Sequence, residues 1–346
     1  MTRLNRRGLI AGAALGAAAL AALAGQGTAQ AQDAVEWRMQ ALWDAGTTPY
    51  EYEKKFVERV SELTDGKFSI KLFSAGQLVP ANQAFDAVRA GAFELMKTYD
   101  GYEAGKIPAF AFTSSIPFGF PQSDQYEAWF YELGGLELAR EAYDRAGLFY
   151  IAPTVYGEEP IHSTVRMETI ADMADKKGRF VGLASAVMGD MDVAVTPMAT
   201  GEIYTALEKG LIDFADRGDL TANYEAGLAE VAKFIILPGV HQPTTATSYV
   251  ANKAAYEALP DSYKAALAVA AREISGSLRQ HIMTQNAEVL EKYKEKGVEV
   301  IYLDEADVAS HRASAVESWK KATKDDDLAN RVLESQVNFM TALGLL

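Results

Sequence analysis

Residues 201–217 read GEIYTALEKGLIDFADR. Gly201 opens the stretch, a helical octet follows, and Gly210 breaks it. An apolar run then ends on Asp216-Arg217. A buried strand has no use for two opposite charges at its tip, unless the tip faces something polar. The unit also recurs. AFDAVRAGAFELMKT (84–98) and IYTALEKGLIDFADR (203–217) align without a gap, 119 residues apart. Each has an aromatic residue (Phe85, Tyr204) two places before an Ala, a Gly stop (Gly91, Gly210), and a strand with one acid (Glu94, Asp213). Helix–Gly–strand units are common in α/β chains, but the match in order and spacing favours two related lobes. Ligands of such sheets sit beyond the carboxyl ends of the strands. Lys97-Thr98 and Asp216-Arg217 end equivalent strands, so both pairs are expected to look into a cleft.

Outward from this unit the same alternation continues. Val35, Trp37, Met39, Ala41 and Trp43 recur with period two and predict a first strand. Tyr52, Phe56, Val60 and Leu63 have helical spacing after Pro49. Phe68, Ile70 and Leu72 predict a second strand, Pro80–Gly91 a helix, and residues 92–98 a third strand. The β-α-β-α-β order predicts a mostly parallel sheet covered by helices. Residues 259–297 predict one long helix with Tyr263, Leu267, Ile274, Leu278, Ile282 and Val289 on its apolar face. At about 1.5 Å per residue it is roughly 50 Å long, enough to span two lobes. A strand over 298–303 and amphipathic helices over about 304–324 and 326–343 follow.

The first residues read as an export signal. Arg3, Arg6 and Arg7 precede an apolar stretch from Leu9 to Leu23, and Ala29-Gln30-Ala31 fits a small-residue cleavage site. Arg6-Arg7 before Gly-Leu-Ile resembles a twin-arginine signal, with an ordinary Sec signal as the alternative. Cleavage after Ala31 leaves 30 basic residues against 47 acidic ones. That balance argues against nucleic acid and against a basic membrane patch. The chain has no Cys, so stability has to come from a large core. No H-E-x-x-H, G-x-S-x-G, Walker loop or G-x-G-x-x-G occurs. Missing catalytic signatures, export and duplicated lobes favour a binding protein over an enzyme.

At GEIYTALEKGLIDFAD the chain resembles the solute-binding proteins of tripartite ATP-independent periplasmic (TRAP) transporters, the DctP-like family. The likeness extends to SAGQLVPANQAFDAVRAGAFEL, SIPFGFP, RFVGLAS, VAKFIILPGVHQP and EALPDSYKAAL, in order along nearly the whole chain beyond residue 31. The nearest branch binds 2-oxo and 2-hydroxy acids. The resemblance implies an α/β, two-lobed periplasmic binding protein of the Venus-flytrap type, with a long helix bridging both lobes. The expected organisation is signal peptide 1–31, first lobe mainly 32–157, second lobe mainly 158–242, a crossing segment with the long helix 243–303, and C-terminal helices 304–346. It implies a periplasmic receptor that closes on a small organic (2-oxo, 2-hydroxy or di-) carboxylate and hands it to TRAP membrane permease subunits. The alternatives are a receptor for an ABC importer, a sensor-associated binding protein, and a secreted α/β enzyme, for which the motifs are missing. A homodimer through the C-terminal helices is one expectation, and packing of those helices on the body is the other.

The resemblance also suggests site residues. Arg179 in GRFVGLAS stands where the family clamps a ligand carboxylate, a task that suits the planar guanidinium fork. Asp216 matches the family's cleft acid, a metal ligand or hydroxyl acceptor. Arg217 stands where relatives commonly have an aromatic residue, and Gln242 where metal-using relatives tend to have Glu. Asp216 and Gln242 would be the ligands if a metal were present. The two departures disfavour a metal, leave no cofactor expected, and assign Arg217 the positive charge instead. Glu159 lies in the loop of a polar ligand contact, and either Glu158 or Glu159 is a candidate partner for Arg217. Tyr99, Tyr102 and Trp43 are expected to line the cleft from the first lobe. His162 and Phe118 read as structural.

Overall fold

A computed structural model describes residues 34–346; the export signal read over residues 1–31 lies outside the described residues. Eleven strands are present among them: β1 (Val35–Gln40), β2 (Phe68–Phe73), β3 (Leu95–Thr98), β4 (Leu148–Tyr156), β5 (Ile161–Ser163), β6 (Lys177–Arg179), β7 (Ala194–Val195), β8 (Phe214–Ala215), β9 (Phe234–Leu237), β10 (Thr245–Asn252) and β11 (Glu299–Tyr302). They form two sheets, β2-β1-β3-β10-β4 and β11-β9-β5-β8-β6-β7, one in each lobe. Alternation buries Trp37 and Met39 of β1 against Phe56 and Val60 of the helix Thr48–Leu63.

Both sheets are mostly parallel, as the helix–strand order predicted, and each carries one antiparallel strand. β1 runs parallel to β2 and β3, but β10 enters antiparallel between β3 and β4. In the second sheet β5 enters antiparallel between β8 and β9. The reason is the path of the chain. It crosses from the first sheet to the second over residues 157–160 and returns over 238–244. Each crossing delivers a strand that runs against its neighbours.

The repeated unit has one structure in both places. The helices Ala84–Arg89 and Ile203–Glu208 each have 6 residues. Gly91 and Gly210 follow with φ of 73° and 64°, the left-handed conformation that glycine adopts without a Cβ penalty. The two acids do the same work. Glu94 accepts the backbone N–H of Arg38 at 2.7 Å, and Asp213 that of Lys177 at 2.8 Å. Pairing register places Gln40 opposite Met96 and Arg179 opposite Ala215. Gln40 therefore holds in the first lobe the place of Arg179 in the second.

The long helix spans Asp261–Glu295, 35 residues and about 52 Å. Tyr263, Leu267, Ile274, Leu278 and Ile282 pack with Trp37 and Phe56 of the first lobe. Val289 and Tyr293 pack with Leu220, Ile235 and Val298 of the second. The C-terminal helices Glu305–Ala322 and Asp327–Ala342 bury Trp319, Leu328, Val332 and Met340 in one cluster with Phe110 and Trp129 of the first lobe and Phe180 and Val187 of the second. Their apolar stripes are thus covered by the body. No helix among the described residues is long and apolar enough to cross a membrane.

Candidate functional site

The carboxyl ends of β3, β6 and β8 meet the two crossing segments around one cleft. Trp43, Tyr99, Tyr102, Glu159, Arg179, Asp216, Arg217 and Gln242, the eight residues named from the sequence, all line it. Its enclosed volume is 40 Å³, room for about three water molecules. Asp44, Thr47, Tyr156, Val181, Thr200 and Ala222 complete much of the wall.

Arg179 ends β6 and is 2% exposed. It can approach so closely because Gly178 precedes it: a Cβ there would lie 2.8 Å from the Phe214 ring and 2.9 Å from Val193. Nη1 donates to Asp216 Oδ1 at 2.6 Å, while Nε and Nη2 both donate to the Met198 carbonyl at 3.1 and 2.9 Å. Nη1 also reaches the Asp216 carbonyl at 3.3 Å. Arginine has five N–H groups, and these four contacts leave one Nη2 hydrogen for the cleft. Burial pulls the guanidinium pKa down, and Asp216 together with Tyr102 and Glu159 more than offsets this, so Arg179 stays charged.

Glu159 and Gln242 sit on the two crossings, joined by a hydrogen bond from Glu159 N to the Gln242 carbonyl (3.0 Å). Tyr99 donates its hydroxyl to Gln242 Oε1 at 2.5 Å, and Tyr156 to Glu159 Oε1 at 2.8 Å. Burial, then the nearby Asp216 carboxylate, pushes the Glu159 carboxyl up to about 8. His241, beside Gln242, is the residue that sequence reading missed. Its Nε2 lies 3.8 Å from Asp216 Oδ2, and neither ring nitrogen has a hydrogen-bond partner although the residue is fully buried. Burial lowers its pKa to about 4, Asp216 opposing and Arg179 assisting, so the ring is neutral at pH 7. Glu159, Asp216 and His241 bring one ligand atom each within 4.8 Å of one another. Two buried carboxylates and an unpartnered imidazole suit a cation. The sequence carried only one hint, the adjacency of His241 to Gln242.

Two expectations need correction. Lys97-Thr98 do not line the cleft as Asp216-Arg217 do. The helix Thr48–Leu63 places Glu53 in the first-lobe core, and Lys97 turns to it: Nζ lies 3.8 Å from Glu53 Oε1, donates to Thr154 Oγ1, and sits 3.5 Å over the Tyr249 ring. Tyr99 and Tyr102, packed edge to face at 5.3 Å, take the cleft position instead. Arg217 is not paired with Glu158 or Glu159. It donates from Nη1 to the Ala222 carbonyl at 3.3 Å, while Glu158 accepts Gly239 N–H at 2.7 Å. His162, read as structural, is buried away from the cleft and bonded through Nε2 to Tyr293 Oη at 2.9 Å.

The profile described as bacterial extracellular solute-binding protein, family 7 (DctP), matches residues 39–326. A monocarboxylate 2-oxoacid-binding periplasmic protein of Nostoc is 31% identical over 293 residues, 84% of this chain and 80% of the relative. A TRAP transporter solute-binding protein of Bordetella bronchiseptica superimposes with TM-score 0.82 at 27% identity, covering 90% of this chain and 94% of that one. It is described as a dimer of mixed occupancy, with copurified calcium and picolinate in its active site. A TRAP solute-binding protein of Colwellia psychrerythraea with bound calcium and pyruvate has the same fold, with TM-score 0.81, 22% identity, and 90% and 96% coverage. These relatives overturn the expectation that a metal is disfavoured. The sequence argument counted the lost Glu at Gln242 and the guanidinium at Arg217, placed Glu159 only as a polar ligand contact, and missed the imidazole of His241.

Proposed function

The chain belongs to family 7 of the bacterial extracellular solute-binding proteins, and from that premise we propose which residues hold its solute and how. It is a TRAP-type solute receptor for small carboxylates. Family members are periplasmic and work with TRAP permease subunits. Within that frame we assign the solute to the 2-oxo monocarboxylates. Arg179 gives its remaining Nη2 hydrogen to the solute carboxylate. Tyr99, Tyr102 and Trp43 close the first-lobe wall. Arg217 supplies a second positive charge at the mouth.

A cation belongs in this reading. Asp216, Glu159 and His241 would hold it, and it would supply positive charge beside the solute carboxylate. Charge counting supports it. Without a cation Glu159 is protonated at pH 7, and Arg179 and Arg217 are balanced by Asp216 and Asp44. With a divalent ion and Glu159 ionised, the lining carries one net positive charge, which matches one monoanion.

The observation that carries the proposal is the convergence of Arg179, Asp216, Glu159 and Gln242 from two strands and both crossings on one small cavity. We further propose that the protein performs no chemistry on its solute, and that the leader directs export by the twin-arginine or the Sec route. The buried stripes of the C-terminal helices support a clasp over both lobes. A homodimer through them is the expectation that light scattering would test. Pyruvate should raise the melting temperature in the presence of calcium and much less in EDTA, by mass action on the folded state. No shift with pyruvate or any other small carboxylate in calcium would refute the reading.

A further inference from the structure

The helix Thr48–Leu63 starts without a cap of its own. Thr47, at its N-cap, makes no side-chain bond to the first turn. Its hydroxyl instead donates backwards to the Asp44 carbonyl at 2.8 Å. A helix start leaves N–H groups unsatisfied and carries partial positive charge. Here the acceptor comes from the opposite lobe. Glu225 accepts Thr48 N–H through Oε2 at 3.1 Å and the Thr48 hydroxyl through Oε1 at 2.8 Å.

Both ends of this contact lead to the cleft. Immediately before Thr48 come Leu42, Trp43, Asp44 and Thr47, four residues of the cleft wall. Glu225 ends the short helix Leu220–Glu225, whose other end is capped by Asp219 accepting from Thr221 N and Ala222 N at 2.9 and 3.2 Å. Ala222 lines the cleft and its carbonyl holds Arg217. One carboxylate therefore joins the Trp43 wall to the Arg217 wall without touching the cavity. Parting the lobes removes the acceptor and leaves the helix start bare.

We propose that Glu225 is a positioning residue that holds the lobes closed by capping the helix of the opposite lobe, and so slows release of the solute. Its effect on release rests on the receptor reading above; its effect on closure does not. An N-cap contributes about 1 kcal/mol, which is about five-fold in the ratio of closed to open molecules. Exposed charges are screened by salt, so the effect shrinks at high ionic strength.

The chain has no cysteine, so Glu58→Cys and Glu208→Cys, one exposed site in each lobe, give a single pair of spin labels. Pulsed electron resonance on the ligand-free protein reads the interlobe distance. Glu225→Ala should shift the distribution to longer distances, with Glu225→Gln intermediate because its amide oxygen still accepts. A distribution unchanged by Glu225→Ala overturns the proposal. With calcium and pyruvate as probes, Glu225→Ala should release pyruvate about five-fold faster with unchanged association, and high salt should bring the parent towards the variant. Equal release rates also overturn it. Failure of pyruvate to bind the parent counts against the carboxylate reading, while the ligand-free distances still decide the role of Glu225.

Discussion

Replacing Gly239 with Ala tests the site without touching a side chain that lines it. A Cβ built on Gly239 would lie 1.9 Å from the Glu159 carbonyl oxygen and 2.8 Å from its carbon. Real Cβ contacts essentially never fall below 3.0 Å, so the two crossing segments would have to part by at least 1.1 Å. Neither can move freely. Glu159 N is bonded to the Gln242 carbonyl, and Phe118 N to the Val240 carbonyl at 2.6 Å. Gly239 N is itself held by Glu158. Forced overpacking costs about 1–3 kcal/mol, a drop of a few degrees in melting temperature for a chain of this size. Glu159 would also leave its place beside Asp216 and His241. Displacements near 1 Å cost up to about 100-fold in a positioned site, and pyruvate affinity in calcium should fall at least about ten-fold. Calorimetry, by scanning and by titration, reads both quantities. Gly189→Ala is the control, because nothing lies within 4 Å of its Cβ. A Gly239→Ala protein that melts and binds like the parent would refute the argument that glycine is needed for the crossing segments to touch.

Two further outcomes are expected. Arg179 and Asp216 are 2% and 1% exposed, so Arg179→Met leaves a buried carboxylate without its partner and should cost about 3–5 kcal/mol. Adding Asp216→Asn should restore much of the stability but not binding, and a single variant that melts like the parent would contradict the pairing. Glu159 titrates near 8 when folded, against an ordinary 4.5. The folded protein thus holds an extra proton between these values, and this group's contribution to stability falls as pH rises from about 4.5 to about 8. Melting curves in EDTA should therefore show Glu159→Gln gaining on the parent across that range, and a pH-independent difference would count against the raised pKa.

Much of this could be read from the residues. The unit at 84–98 and 203–217 was legible because its helix stops and strand starts are local events, marked by Gly91 and Gly210. The long helix was legible because one apolar face persists for 35 residues. Strand direction was not: nothing local in Thr245–Asn252 records that it runs against β3 and β4, because direction is set by the crossing before it. The first strand ends at Gln40 rather than Trp43. There the Gln40 side chain accepts the N–H groups of Leu78 and Val79 at 2.9 and 3.0 Å. Arg179 and Asp216 were each singled out by motif, but their pairing was hidden by a separation of 37 positions along the chain. His241 and Glu225 carried no local pattern, since each acts on a residue brought near only by the fold.

The two crossing segments have a consequence for how such a receptor can change over time. A hinge placed far from the cleft could be loosened or stiffened without altering what the protein recognises. Here Glu159 and Gln242 belong to the segments that cross between the two sheets, bonded to each other through the backbone. A substitution there that adapts the cleft to a different acid is therefore expected also to shift the resting angle of the lobes, and one that tunes that angle to retune selectivity. Taste and reflex are inherited together, so new specificities should arise first at Trp43, Tyr102 and Arg217, which line the cavity but lie outside the crossings.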